Sequence, residues 1–374
     1  MRVLILGGYG TFGGRIAATL AGDAGLQLLV AGRDQARAGD FVRTRLPQGR
    51  GHEALRLDAT SWNLPRELRA IAPDAVIDTA GPFQQRDYSV PRAVLECGAH
   101  GIDLADGRGY VSGFVAALDA QARQAGRLAI TGASSVPGLS SAVVDAHLSR
   151  FSRLDGIDSA ISPGNRTPRG EATTRAILGY VGQPYRLLQD GRWRTVHGWQ
   201  SLQRMRGDDA AGRWLARCEV PDLDVLPARY PGLRDCDFRA GLELRRMHFG
   251  LWLASWAVRA GAIHSMQPWA ERLLAISERW HDLGSDIGRM EVRMRGLDHD
   301  GRPLRLRWEL IAGGGDGPQV PCTAAVVLVR KLLAGELHGS GAMPCCGLFA
   351  LQEYLDAMHG FAIDSRTEVI AGRA

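Results

Sequence analysis

The segment Gly7-Gly8-Tyr9-Gly10-Thr11-Phe12-Gly13 constrains this chain more than any other. It follows a short apolar run at residues 3–6 and precedes Ile16, Ala17 and Leu20 at helical spacing, with Gly22 as a stop. Gly8, Gly10 and Gly13 form a GxGxxG pattern at a strand-to-helix turn. One glycine takes a backbone shape that other residues resist, a second lets a pyrophosphate approach the main chain, and a third lets helix and strand pack closely. The N-terminus of the helix then presents free N–H groups and a positive dipole end to phosphate. Gly7 to Gly13, with Tyr9, Thr11 and Phe12 between the glycines, is therefore the expected cofactor loop.

The alternation continues. Residues 26–31 read as a second strand ending in Gly32-Arg33-Asp34. About 20 residues past such a loop, an acid selects NAD and an arginine selects NADP. Arg33 stands there and suits a 2′-phosphate, so NADP is expected over NAD, although Asp34 follows directly. Residues 52–58 form a third strand ending at Asp58, either near the adenine or capping a loop. Residues 75–79 form a fourth, breaking into Ala80-Gly81-Pro82-Phe83 at the edge where open parallel sheets bind ligands. A helix at 88–97, a strand at 101–105, a helix at 110–125 and a strand at 128–131 complete a doubly wound Rossmann domain. The sixth strand feeds Gly132-Ala133-Ser134-Ser135-Val136-Pro137-Gly138, a crossing between domains that continues as a helix at 140–148.

With 374 residues, the chain is long enough for two domains. A formal net charge of +5 does not argue for nucleic acid. Lys331 is the sole lysine, which excludes a Schiff-base lysine elsewhere and the Ser-Tyr-Lys arrangement of short-chain reductases. The six cysteines are scattered without zinc spacing, so no metal is expected and reduced thiols in a cytoplasmic protein are. Residues 3–6 are too short for a secretory leader, and 249–258 too short to span a bilayer.

The glycine loop, Ala80-Gly81-Pro82-Phe83, Asp103-Leu104-Ala105-Asp106 and Ser134-Ser135-Val136-Pro137-Gly138-Leu139-Ser140 resemble the saccharopine dehydrogenase family, particularly its bacterial saccharopine dehydrogenase-like members. Ile161-Ser162-Pro163-Gly164-Asn165, Arg169-Gly170-Glu171-Ala172-Thr173 and Gly317-Pro318 extend the resemblance over most of the chain. It implies a Rossmann domain and a second α/β domain closing over a nicotinamide. It also implies oxidation or reduction of a secondary amine or imine made from an amino acid. Where the saccharopine-forming reductases have Asp-Pro-Gly, this chain has Val136-Pro137-Gly138, which removes an acid and argues against saccharopine itself. Similar members act on polyamine precursors or as a lipid-associated enoyl reductase.

The expected domains are residues 1–137, a substrate-closing α+β domain at 138–320, and a C-terminal segment, 321–374, packing back on the first. In the second half, a strand is expected at 154–162, a helix at 171–180, loop-rich chain at 193–224, a connector at 226–238 and helices across 242–280. A hairpin is expected at 290–297 and 304–310 with one packed and one wet face, followed by a helix at 323–333. The apolar segment at 249–263 suggests a homodimer.

Candidates for proton handling are Asp106, at a strand end, Tyr110 and His248. Ser134 and Ser135 are candidates to contact nicotinamide or substrate. Asn165, Arg166, Arg169 and Arg175 are candidates for a carboxylate-bearing small molecule. Three function classes follow: an NADP(H)-dependent oxidoreductase on an imine, amine or enoyl group; a nucleotide-binding regulator without turnover; and a homospermidine-type synthase that regenerates its cofactor.

Overall fold

The computed structural model describes residues 1–168, 170–205 and 212–370. In chain order, β1 (Arg2–Leu6), α1 (Gly13–Leu20), β2 (Gln27–Gly32), α2 (Gln35–Arg45), β3 (Glu53–Arg56), α3 (Leu64–Ile71), β4 (Ala75–Asp78), α4 (Ser89–Glu96), β5 (His100–Asp103), α5 (Arg108–Ala125) and β6 (Leu128–Thr131) alternate. An irregular turn, Ser135–Leu139, leads into α6 (Ser140–Leu148). The chain continues through β7 (Arg153–Ser162), α7 (Glu171–Tyr180), β8 (Pro184–Gln189), β9 (Arg192–His197), β10 (Gln203–Met205), β11 (Arg213–Arg217), α8 (Asp222–Arg229), β12 (Asp235–Ala240), α9 (Arg245–Arg259), α10 (Ala270–Glu278), β13 (Gly288–Leu297) and β14 (Pro303–Ala312). It ends with α11 (Val320–Leu333), β15 (Gly341–Pro344), α12 (Leu351–Asp356) and β16 (Ile363–Val369).

Two compact units result: Met1–Ala142 with Pro318–Met358, and Val143–Gly317 with His359–Ala374. In the first, all strand pairs are parallel and the order is β15-β6-β5-β4-β1-β2-β3. Val3, Leu4, Ile5 and Leu6 are buried because β1 is central and helices cover both faces, which is why the sequence shows a continuous apolar run there. Leu4, Leu29, Leu64, Leu68, Val76 and Val94 share one core cluster. The chain has a seventh strand here that its sequence does not announce: β15 is Gly-Ala-Met-Pro, too short and too small to read as a strand without its neighbour β6. Residues expected to pack back as one segment divide instead. Gln319 donates to Thr19 Oγ1 at 2.8 Å and Arg330 pairs with Asp23 at 2.7 Å, fixing α11 on α1. Beyond Met358, β16 pairs with β14 of the other sheet.

The second unit carries a mixed sheet ordered β10-β11-β12-β7-β13-β14-β16, with β8 and β9 paired off it. Two expectations fail here. The supposed loop-rich and connector stretches contain β9, β10, β11, α8 and β12. Pro227, which with Pro231 suggested a connector, lies inside α8 without ending it, and Asp222 and Asp224 in its first turn favour the positive helix end. The charged face of the β13–β14 hairpin is wet only at one end, where Arg305 is exposed and Arg293 and Arg295 are half-buried. Glu291 and Glu309 are each 2% exposed, because Arg307 pairs with Glu291 at 2.6 Å and Glu309 at 3.2 Å while Arg289 pairs with Glu309 at 3.1 Å. Alternation of charge marks a face correctly but does not reveal that Glu291 and Glu309 stand opposite each other and are held by arginines placed diagonally or two residues along the strand. No helix among the described residues is long and apolar enough to cross a membrane.

Candidate functional site

The glycine loop leaves β1 at its C-terminal end. Gly7 has φ +75, and a side chain there would meet Thr79 Oγ1 at 2.8 Å. A Cβ on Gly13 would lie 2.3 Å from the Gly7 carbonyl oxygen, so only glycine lets α1 start this close to the strand. A Cβ on Gly10 would meet only the Gly7 carbonyl oxygen, and Gly10 is exposed: main chain faces open space there. Gly8 is buried against Ile5 and Val30. Among the described residues, the amides of Thr11, Phe12 and Gly13 have no acceptor, and no side chain caps α1. Three unsatisfied donors and the dipole end of a helix thus converge on the open side of the loop.

Tyr9 turns toward β2. Its ring rests against Gly32, its hydroxyl accepts from the Asp34 amide at 3.0 Å, and Arg37 lies over the ring at 5.2 Å. Asp34 is the N-cap of α2: its Oδ1 accepts from the amides of Ala36 and Arg37, both at 3.0 Å. Arg33 is exposed and makes no hydrogen bond or ion pair among the described residues. Asp58 caps a turn, accepting from the Thr60 amide at 2.9 Å and hydroxyl at 2.8 Å. Those bonds hold its carboxyl below the usual range, with help from the charge of Arg33.

The Ala80-Gly81-Pro82-Phe83 turn follows β4, with a cis Gly81–Pro82 bond. Arg86 braces it, donating to the Ala80 carbonyl at 3.0 Å, pairing with Asp78 at 3.0 Å and lying over the Phe83 ring at 5.3 Å. Next to Asp78 in register is Asp103 at the end of β5. Its Oδ1 accepts from the Ala105 amide at 3.0 Å, the Thr131 hydroxyl at 2.8 Å and the Gly132 amide at 2.9 Å. Burial nonetheless pushes this carboxyl up to about 7, and the facing Asp78 adds to the rise. Asp103 ties the ends of β5 and β6 together; the sequence reading saw it only as part of a strand end. Its signal was an acid closing an apolar strand, the same signal that singled out Asp58.

Asp106 is half-buried beyond the same strand. Gln84 donates to its Oδ1 at 3.1 Å, and burial raises its carboxyl above the ordinary range. Tyr110 is buried between Phe83 and Tyr88, and its phenol is pushed up by burial and by the charges of Asp103 and Asp78, so it stays protonated. Ser134 and Ser135 sit at the C-terminal end of β6 with hydroxyls that make no hydrogen bond among the described residues. The following Ser140 and Ser141 are instead satisfied by Pro137 and Gly138 carbonyls. The loop, Arg33, the Ala80–Phe83 turn, Asp106 and the two serines therefore all lie along the carboxyl edge of one parallel sheet.

Candidates from the second unit take other roles. Asn165 is 3% exposed and donates to the carbonyls of Trp280, His281 and Leu283, while its amide donates to Glu243 at 2.6 Å. It locks the chain after α10 and is not open to an anion. Arg166 reaches the Asp282 carbonyl at 3.2 Å, and Arg175 pairs with Glu271 at 2.9 Å. Arg169 lies outside the described residues. His248 is fully buried against Trp199 and Phe249, and burial lowers it to about 4, so it is a neutral core residue at pH 7. Among the described residues no group of His, Cys, Asp and Glu is arranged to hold a metal.

No protein-family model matches the chain, and no curated protein matches it in sequence. Among solved structures it is similar to apo saccharopine dehydrogenase (L-Glu forming) from Saccharomyces cerevisiae. That match has a TM-score of 0.68 at 12% identity and covers 98% of this chain and 99% of that one. DAP dehydrogenase of C. glutamicum aligns with a TM-score of 0.49 at 14% identity over 96% and 98% of the two chains. The resemblance read in the motifs thus holds as a likeness of fold across both units.

Proposed function

We propose that this chain is an NADP(H)-dependent oxidoreductase that transfers hydride to or from an imine or secondary amine derived from an amino acid. The observation that carries this reading is the glycine loop, with Gly10 open and the Thr11, Phe12 and Gly13 amides unsatisfied at the start of α1. That cradle fits a pyrophosphate. The choice of NADP is supported by Asp34, whose carboxylate caps α2, and by Arg33, which is exposed and carries an unpaired charge beside it. A guanidinium there pairs with a 2′-phosphate.

The nicotinamide, when bound, supplies or accepts the hydride. The protein's own part is positioning and one proton. The Arg86 brace holds the Ala80–Phe83 turn rigid at the strand end. Ser134 and Ser135 offer unengaged hydroxyls to orient a polar group. Asp106 is the group assigned to handle the proton: burial raises its carboxyl above the ordinary range, so it is a better proton donor to a basic nitrogen than an exposed carboxylate. The test is Asp106→Asn, which should leave NADPH affinity unchanged and cut turnover by roughly 10²-fold or more, in the range of general acid–base catalysis. Unchanged turnover in an assay of NADPH consumption with oxo acid and amine pairs would assign Asp106 to the turn alone. One structure of similar fold is a saccharopine dehydrogenase, and the Val136-Pro137-Gly138 crossing, without an acid, favours a different amino-acid-derived substrate.

A further inference from the structure

The second unit contains a half-open cavity of 290 Å³ between three helices. Ile177 and Leu178 of α7, Met247, Leu251 and Ala254 of α9 and Leu273 of α10 form its walls. They continue the core cluster built on Val181, Trp199 and Val258. Among the described residues no carboxylate lines it. Its two hydroxyls are already satisfied by their own helices, Thr174 by the Gly170 carbonyl at 3.2 Å and Ser277 by the Leu274 carbonyl at 2.7 Å. The interior therefore asks for no polar group from an occupant.

Among the described lining residues one is charged. Arg246 is exposed, and its guanidinium lies 4.0 Å from the centre of the Trp280 ring. It makes no hydrogen bond or ion pair among the described residues, whereas Arg175, Arg213, Arg217, Arg229 and Arg307 are each held by a carboxylate. Stacking on Trp280 fixes the plane of the guanidinium and leaves its N–H edge for an anion.

We propose that this cavity binds a medium-chain fatty carboxylate, with the aliphatic chain among the helices and the carboxylate on Arg246. The volume sits at the small end of ligand pockets, roughly 300–1,000 Å³, which suits a single short chain and excludes a sterol-sized body. Met247 and Met266 let the walls adapt to a flexible tail. An uncharged or cationic amphiphile fills the same space but gains nothing from Arg246. The inference concerns the second unit alone and stands apart from the nucleotide reading.

The experiment is calorimetric titration of the full-length protein with decanoate, 1-decanol and acetate, in the wild type, Arg246→Gln and Ala254→Phe. Decanoate is expected to bind one to one with a negative heat-capacity change, and decanol about tenfold or more weaker. Acetate should show no saturation. Arg246→Gln should bring decanoate down to the level of decanol while leaving NADPH binding as in wild type, and Ala254→Phe should weaken both chains. Equal affinities for decanoate and decanol, an unchanged decanoate affinity in Arg246→Gln, or no saturable decanoate binding each overturn the proposal. If Ala254→Phe does not fold, the surface change Arg246→Gln decides alone.

Discussion

Replacing Asp103 with asparagine isolates one buried charge. The carboxyl ends β5, is 5% exposed and takes three hydrogen bonds on a single oxygen, from Ala105, Thr131 and Gly132. Burial pushes it up to about 7, against ~3.9 in an unfolded chain. The folded state therefore holds a proton that the unfolded chain has already released across the interval between these values. Stability from this group is full below about pH 4 and is lost as pH rises through about 7. Between pH 5 and pH 8 the loss is about 3 kcal/mol. Asparagine keeps the accepting oxygen and has no charge to form. Thermal or urea unfolding of both proteins at pH 5, 6, 7 and 8 should show the variant gaining on the wild type as pH rises, steeply from pH 5 to 7 and levelling off above pH 7. Asp78, paired with Arg86, is present in both proteins, so its titration largely cancels in the difference. A difference that does not change with pH, or that shrinks as pH rises, would refute the reasoning.

Gly10→Ala should fold as the wild type does, because its Cβ meets only the Gly7 carbonyl oxygen at 3.1 Å, yet weaken NADPH binding by tenfold or more; Gly13→Ala, with a contact of 2.3 Å, should also lower the unfolding temperature. Calorimetry and thermal melts separate the two. Asn165→Ala strips donors from three carbonyls in the second unit and should cost about 2–4 kcal/mol of that unit's stability without changing NADPH affinity. A loss of substrate affinity with stability intact would return Asn165 to ligand binding.

The alternation of the first unit was legible because parallel strands covered on both faces are continuous apolar runs, and because glycines mark the one turn where a helix must start against a strand. Arg33, Asp34 and the Ala80–Phe83 turn could be placed by counting from that loop. What Asp34 does with its carboxylate could not be read, since an N-cap and a ribose ligand call for the same residue at the same place. β15 escaped because Gly341, Ala342, Met343 and Pro344 carry no strand signal outside the sheet that pairs them. In the second unit, Asn165 looked like a ligand residue because its partners, the carbonyls of Trp280, His281 and Leu283, lie over a hundred residues away in sequence. The buried face of β13 and β14 misled for a related reason. Burial of Glu291 and Glu309, which stand opposite each other, depends on the arginines diagonal to them, and register is not written in either strand alone.

The most direct test of the central claim is titration calorimetry of NADPH and NADH against the wild-type protein and Arg33→Ala. The account predicts saturable NADPH binding, NADH weaker by about ten- to a hundredfold, and a variant in which that preference collapses because only NADPH has lost a partner. Equal binding of the two nucleotides by the wild type, an equal loss of both in Arg33→Ala, or binding of neither would contradict it.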